Sequence, residues 1–321
     1  TAGDPASADA YVMVQLANVG DVRLNQDPPV AVGDLLVTNN GFNTFLVPEW
    51  AFMANDKNAT DIVQLNPAVG GVELGFALDR QIEITDQGAL GATFQYRAKA
   101  EKDSDEADVK MVNQVGGDIT GTGNHEIIVG TGDAENIEGG GGDDIIFGGG
   151  SDFGGDTISG QGGDDIIAFH LAAEIDGGHD LLAINGGLAS TNAHGDVLVG
   201  KSNLSFLDEQ DVEGIETIST QEKFGGTGAQ AVTISAVAVQ QLSDHTITPG
   251  SGFGTQDAIR IDGDAVDQLY LAAGADGGQW VDTGIETAGY RIYAYETTAG
   301  DPASTNAYVM VQNANLGNVH L

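Results

Sequence analysis

Apolar residues follow three regimes along the chain. Over residues 31–113 short apolar runs alternate with turn-rich segments, at Leu35–Thr38, Asp61–Leu65, Gln81–Thr85, Ala92–Ala100 and Ala107–Val112. Within Thr93–Ala100 (TFQYRAKA), Phe94, Tyr96 and Ala98 alternate with Gln95, Arg97 and Lys99. That period of two buries one face and predicts sandwich strands. Between residues 117 and 168 an isoleucine recurs about every nine positions, at Ile128, Ile137, Ile146, Ile158 and Ile167. Residues 186–321 return to short β-like runs (DVEGIETI, IRIDGDAVDQLYL, WVDTGIETAGYRIYAYE). One helix is predicted there, at Ser235–Ser243 with Ser235 as N-cap. No apolar run approaches the ~18 residues of a membrane span, so no membrane insertion is expected. The fold class expected is all-β.

The two ends repeat each other. Residues 1–24 read TAGDPASADAYVMVQLANVGDVRL and residues 298–321 read TAGDPASTNAYVMVQNANLGNVHL, so 24 − 6 = 18 positions are identical at an offset of 298 − 1 = 297. This predicts a tandem array with a unit of about 297 residues. Tyr290–Thr297 and Ala307–Gln312 predict a hairpin around the turn-rich TAGDPASTN. The first copy of its second strand, Ala10, Tyr11, Val12, Met13, Val14 and Gln15, has no upstream partner strand in the sequence. It is expected to contact a preceding unit or another subunit, through a covalent array or through strand exchange. Asn25–Val30, with two prolines, is an extended connector.

Composition narrows the function classes. Acidic residues number 48 against 11 basic ones, a net charge of −37, which repels nucleic acid and anionic lipid and attracts cations. Cysteine is absent, which removes disulfides, thiolate metal sites and cysteine nucleophiles. Glycine is abundant at 48 residues, and much of it lies where the nine-residue period runs.

That period carries the candidate chemistry. The units are Gly121–Val129 (GTGNHEIIV), Gly130–Glu138 (GTGDAENIE), Gly139–Phe147 (GGGGDDIIF), Gly148–Ser159 (GGGSDFGGDTIS, with three extra residues) and Gly160–Ala168 (GQGGDDIIA). An acid precedes each isoleucine by two: Glu126, Glu135, Asp144, Asp156 and Asp165. Glycine-rich turns expose backbone carbonyls, here at Gly121, Gly123, Gly130, Gly132, Gly139, Gly141, Gly148, Gly150, Gly160 and Gly162. Carbonyl and carboxylate oxygens at several points around a turn suit Ca2+, which takes 6–8 hard oxygen ligands. If two units make one coil, Glu126 stacks with Asp144, Glu135 with Asp156, and Asp144 with Asp165. Each pair would flank a calcium.

These units resemble the repeats-in-toxin pattern GGxGxDxUx, whose members fold as a parallel β-roll on binding calcium. The third and fifth units follow it well, and Asp176–Leu182 adds a partial turn. The first two depart from it, with Glu126 and Glu135 for aspartate and Asn124 and Asp133 for glycine, so weaker sites are expected there. The segments PPVAVGDLLVT, FMANDKNATD and FQYRAKAEKDSDEADVKMV resemble a bacterial cadherin-like or immunoglobulin-like adhesin module. Leu78–Gln81 (LDRQ) approaches a cadherin calcium motif but has Gln81 where an acid is needed, so no site is assigned. The resemblance to giant repeats-in-toxin adhesins implies type I secretion and an architectural role for residues 186–321.

Other motifs fail on physical grounds. Gly195–Ser202 (GDVLVGKS) formally matches a phosphate loop, but Val197, Leu198 and Val199 resist nest dihedrals and predict a strand. His125–Val129 begins like a zinc-protease helix but has Val129 in place of the second histidine. Trp50 and Trp280 are too far apart in sequence to predict a sugar platform, and the six histidines show no ligand spacing. The chain is therefore expected to be non-catalytic. Its organisation is expected as 1–24, a strand of a preceding repeat or donated to a neighbour; 25–113, a β-sandwich; 114–185, the β-roll; and 186–321, a β-rich module ending in the repeated hairpin. The expected function is a calcium-rigidified unit of an extracellular fibre, matrix filament or adhesin stalk at a bacterial surface, with copies of itself and surface glycans as partners. A ligand-binding adhesin domain, recognising a sugar or host protein, and an appended region of a secreted hydrolase are the alternatives.

Overall fold

The computed structural model describes residues 28–88, 90–100, 103–149, 156–169, 181–185, 188–189, 196–200, 203–207, 212–221, 224, 229–242, 258–274, 276–287, 289–313 and 318–321. Strand dominates these residues, with two short helices among them, and the protein is all-β. Ala10–Gln15, Gly150 and most of the partial turn at Asp176–Leu182 lie outside the described residues.

Residues 34–113 make two layers. Strands Asp61–Val69, Gly91–Ala100 and Asp103–Asn113 run antiparallel in one sheet, and Asp34–Thr38 joins Asp103–Asn113 in parallel. Thr44–Pro48, Gln81–Asp86 and Val72–Ala77 form a second, three-stranded antiparallel sheet. Alternation sets the buried face: Ala92, Phe94, Tyr96 and Ala98 are buried, as are Val109 and Met111. They pack with Val47, Ile82, Ile84 and Phe52, the last from a one-turn helix at Glu49–Phe52.

From residue 119 onward the chain winds as stacked coils, leaving rungs in two opposed parallel layers. One layer takes Ile127–Val129, Ile145–Phe147, Ile166–Phe169, Val197–Gly200, Thr217–Ser219, Ile259–Asp262 and Thr305–Gln312 in turn. The other takes Ile119–Thr120, Asn136–Gly141, Asp156–Gly163, Leu181–Asn185 and Val212–Glu213. A further parallel sheet holds Leu204–Phe206, Ala231–Ser235, Gln268–Ala272 and Val319–His320.

Register converts the nine-residue isoleucine period into a column. Val37, Ile128, Ile146, Ile167, Leu198, Ile218, Ile261 and Val311 pair one above the next and are all buried. Ile119, Ile137 and Ile158 stack on the opposite wall of the same core. At about 1.5–3 kcal/mol per buried aliphatic side chain, such columns are the main attraction between coils.

The outer face of the first layer is buried too. Ile127, Val129, Ile145, Phe147, Ala168 and Val199 share a core with Phe45, Val47 and Phe52 of the sandwich. Trp50 bridges the two, with its ring 5.7 Å from that of Phe147 and 5.0 Å from that of Phe224. Strands covered on both faces read as unbroken apolar runs, which is why these rungs are IIV, IIF and VLVG rather than alternating.

One 13-stranded sheet thus passes from the sandwich strand Asp61–Val69 through the coils to the hairpin, crossing positions 113/114 and 185/186. The hairpin pairs Tyr290–Glu296 with Thr305–Gln312 in antiparallel fashion. The second copy of the terminal repeat therefore supplies the last rung of two sheets, Thr305–Gln312 and Val319–His320. The predicted helix forms at Ala236–Leu242, and Ser235 Oγ accepts the Ala238 N–H at 3.0 Å. Val197–Gly200, inside the phosphate-loop match, is a parallel strand.

The column makes a prediction. Ile146→Ala, in the middle of the stack and fully buried, lowers stability by about 2–5 kcal/mol. Ile285→Ala, at a 49 % exposed position, changes it by less than about 0.5 kcal/mol. Urea titrations of both variants under one cation condition check the contrast.

Candidate functional site

The acid of each first-layer coil sits one residue before its rung, so parallel register stacks the acids. The N–H of Glu126 donates to Asp144 Oδ1 at 2.8 Å, that of Asp144 to Asp165 Oδ1 at 2.8 Å, that of Asp165 to Asp196 Oδ1 at 2.7 Å, and that of Asp196 to Glu216 Oε2 at 2.8 Å. On the opposite side the Glu135 N–H donates to Asp156 Oδ1 at 2.9 Å. The three acid pairs expected from the nine-residue spacing are therefore adjacent in the stack.

The two oxygens of each aspartate differ. Asp144, Asp156, Asp165 and Asp196 are 0 % exposed, and the Oδ2 atom of each is buried without a hydrogen-bond partner. An orphaned buried carboxylate oxygen is costly. Its surroundings are carbonyl-rich: a Cβ built on Gly139 would lie 2.7 Å from both Asp144 Oδ2 and the Gly160 carbonyl oxygen. The Gly139 and Gly148 carbonyls press in the same way on Gly121 and Gly130 in the neighbouring coils. Gly140 takes φ +106° against the Thr122 carbonyl, a conformation and a clearance only glycine supplies. The Gly162 carbonyl is committed to the Gly142 N–H at 2.7 Å.

Charge in this column is strongly perturbed. Burial, countered by the Glu126 N–H and reinforced by Asp165 and Glu126, pushes Asp144 up to about 9. Burial pushes Asp196 up to about 8, and Asp156 and Asp165 each to about 7. Among the described residues no three His, Asp or Glu side chains converge as a metal-holding group. With one acid per coil, a cation there would take its remaining ligands from backbone carbonyls. Asp144 Oδ2 and the Gly160 carbonyl, both close to Gly139, offer the all-oxygen donors that suit a hard divalent ion.

The first two units are built differently. Glu126 has a longer side chain that turns back on its own coil, accepting the Thr122 N–H at 3.1 Å and the Thr122 hydroxyl. Glu135 accepts the Thr131 N–H at 2.9 Å, the Thr131 hydroxyl, and Asn39 Nδ2 at 2.9 Å. Threonine and glutamate replace glycine and aspartate together in these units, and the side-chain oxygens are satisfied within the protein.

Asp196 and Glu216 escape the sequence reading. Their signal is an acid two residues before an apolar rung position, Asp196–Leu198 and Glu216–Ile218, without the glycine-rich turn that marks the other units. His125 Nδ1 donates to the Asp143 carbonyl, which places it in an inter-coil contact. A cavity of about 540 Å3 opens between Thr44–Leu46 and the Gly130–Asp133 turn, lined by Phe45, Phe147, Asn40 and Asp133. Comparison of the chain with family models, curated proteins and solved structures gives no match.

Two predictions follow from the unequal acids. Without divalent cations, the native aspartates hold protons that the unfolded chain, near its ordinary value of 3.8, has released. Stability in chelator therefore falls as pH rises from about 4 to about 9, and a melt at pH 5 lies above one at pH 8. Hydrogen exchange in chelator at pH 7.5 also grades along the stack. Amides of the Ile127–Val129 rung, beside the self-satisfied glutamates, stay more protected than those of Ile166–Ala168 and Val197–Val199.

Proposed function

We propose that the chain is a structural unit of an extracellular, tandem-repeat fibre, stiffened by calcium and without catalytic activity. The observation that carries this reading is the column of fully buried aspartates, each with one oxygen accepting a backbone N–H and the other without a partner. Such a column is stable only when protons or cations neutralise it, and at extracellular pH and millimolar calcium the cation wins. Asp144, Asp156 and Asp165 would hold the ions with carbonyls of the glycine-rich turns, and each ion would tie two coils together. The chain's resemblance to repeats-in-toxin adhesins agrees with this chemistry. On that resemblance, the fibre would lie at a bacterial surface or in a matrix.

Units would join through the duplicated 24-residue segment. Its second copy ends the coil stack, and the residues shared by both copies include the buried run Ala307–Val311. A segment able to close one unit is suited to link it to the next, in covalent series or by exchange between chains. The far side of such a junction would carry the sequence Ala10–Gln15.

Sedimentation velocity and far-UV circular dichroism of the whole chain, in millimolar Ca2+ and in chelator, test the reading. A compact or polymeric, β-rich species in calcium that expands in chelator supports it; identical profiles in the two conditions sink it. Asp165→Asn adds a change of sign. In chelator at pH 8.5, where Asp165 with its value of about 7 is ionised, the variant is more stable than the parent by about 1–3 kcal/mol, because a buried unpaired charge is gone. In calcium it is less stable by a similar amount, because a cation ligand is gone.

A further inference from the structure

A second group of unsatisfied oxygens lies outside the acid column, where the connector meets the sandwich. Asp34 opens the first strand and is 5 % exposed. Its Oδ1 accepts Asn55 Nδ2 at 3.0 Å, but its Oδ2 is buried with no partner, and so is Asn55 Oδ1. Beside them the Tyr96 hydroxyl lies within hydrogen-bond distance of Phe52 O at 2.9 Å, Val32 O at 3.2 Å, and both Asp56 carboxylate oxygens at 3.0 and 3.1 Å. Asp34 competes for the same hydroxyl, acting on it both by its charge and by hydrogen bonding.

The donors fall short. A tyrosine hydroxyl carries one proton and can satisfy one of these acceptors at a time. Asp56 Oδ1 has the Val32 N–H at 2.7 Å, and nearby Asp105 Oδ2 has the Ala31 N–H at 3.0 Å. Among the described residues neither Asp34 nor Asp56 has a lysine or arginine partner. Two carboxylates and two backbone carbonyls thus compete for a single hydroxyl, with the unpartnered amide oxygen of Asn55 beside Asp34 and no lysine or arginine paired with either carboxylate. All the donors are oxygens, with no imidazole or thiolate, which selects a hard cation over zinc or copper.

We infer that Asp34, Asn55 and Asp56 form a second divalent-cation site, of the calcium class, that clamps the connector to the sandwich. The backbone of Ala31 and Val32 is already held by Asp105 and Asp56, and Val30 pairs with Lys57 through two backbone hydrogen bonds of 2.9 and 3.0 Å. A cation on the Asp34 and Asn55 oxygens would add the charge balance this contact lacks. It would fix the angle at which preceding chain enters the module. The site shares no ligand with the coil column and does not depend on that column binding ions.

The test counts ions on the whole chain. Equilibrium dialysis with Ca2+ is run on the parent, Asp34→Asn, Asp56→Asn and, as a coil control, Asp144→Asn. Circular dichroism checks that each remains folded. Each of the first two substitutions is expected to remove one bound ion, the same one, so that the double variant also loses one. Terbium replaces calcium in a second measurement on the parent chain, excited through tyrosine, because Tyr96 would lie against the ion. Sensitised emission is expected from the parent and Asp144→Asn, and a marked loss of it from Asp34→Asn. Unchanged stoichiometry in both sandwich variants, or no tyrosine-sensitised emission from the parent, overturns the site; the pair then shares a proton. Loss of ions from Asp144→Asn alone would leave the coil reading standing and this one refuted.

Discussion

A hydrogen bond from each acid's backbone N–H to the carboxylate of the next coil sets the geometry of the stack. It fixes the parallel register and satisfies one oxygen per aspartate, from Glu126 through Asp144 and Asp165 to Asp196 and Glu216. It also lines like charges up at the ~4.8 Å strand spacing. At an effective dielectric near 20, neighbouring charges at that spacing repel by on the order of 3 kcal/mol. That is about what burying one isoleucine of the column contributes. Apolar attraction and carboxylate repulsion therefore nearly match per coil, and whatever neutralises the carboxylates decides whether the coils close.

The sandwich does more than precede the coils. Its strand Asp34–Thr38 is itself a rung, paired with Ile127–Val129 on one side and with Asp103–Asn113 on the other. Thr38 Oγ1 and Asn40 Nδ2 donate to the carbonyls of Val129 and Gly130, which continues the ladder where no acid stands. Phe45, Val47 and Phe52 then cover the outer face of the first rungs. A stack of short parallel rungs exposes an edge at each end and needs a cap there. The sandwich caps one end. At the other, the hairpin Tyr290–Gln312 turns the last parallel rung into an antiparallel pair.

Much of this was legible because the coil translates sequence period directly into contact. Nine residues per half-coil put Ile128 under Ile146 and Glu126 under Asp144, so a count along the chain became a prediction of neighbours. The period-two run at 93–100 likewise placed Phe94, Tyr96 and Ala98 on the buried face. The sequence does not mark Thr44–Pro48, where Phe45, Leu46 and Val47 run together without polar alternation and end on a proline, or Val72–Ala77, which Gly75 interrupts. Asp196 and Glu216 were hidden for a different reason: they keep the acid and the apolar residue but lack the glycine turn, the part of the pattern most easily recognised. Burial of the outer faces of Ile127 and Ile145 was not readable at all, since it depends on a sandwich close in space and distant in sequence.

The same physics gives the stack a direction. Beside the sandwich, Thr122 and Thr131 satisfy Glu126 and Glu135, so the coils nearest the cap need no outside charge to complete their hydrogen bonds. Farther along, Asp144, Asp165 and Asp196 each leave an oxygen bare. The extra methylene of glutamate lets the carboxylate reach back into its own turn, and threonine in the second position of the unit gives it a donor. Aspartate is one methylene shorter, and Gly140 and Gln161 stand where Thr122 and Thr131 supply a hydroxyl. Coils whose acids are satisfied within the protein thus adjoin the edge of Asp34–Thr38, and those with bare carboxylate oxygens lie beyond them. In a chain of net charge −37, this order sets the bare carboxylates of Asp144, Asp165 and Asp196 away from the sandwich cap.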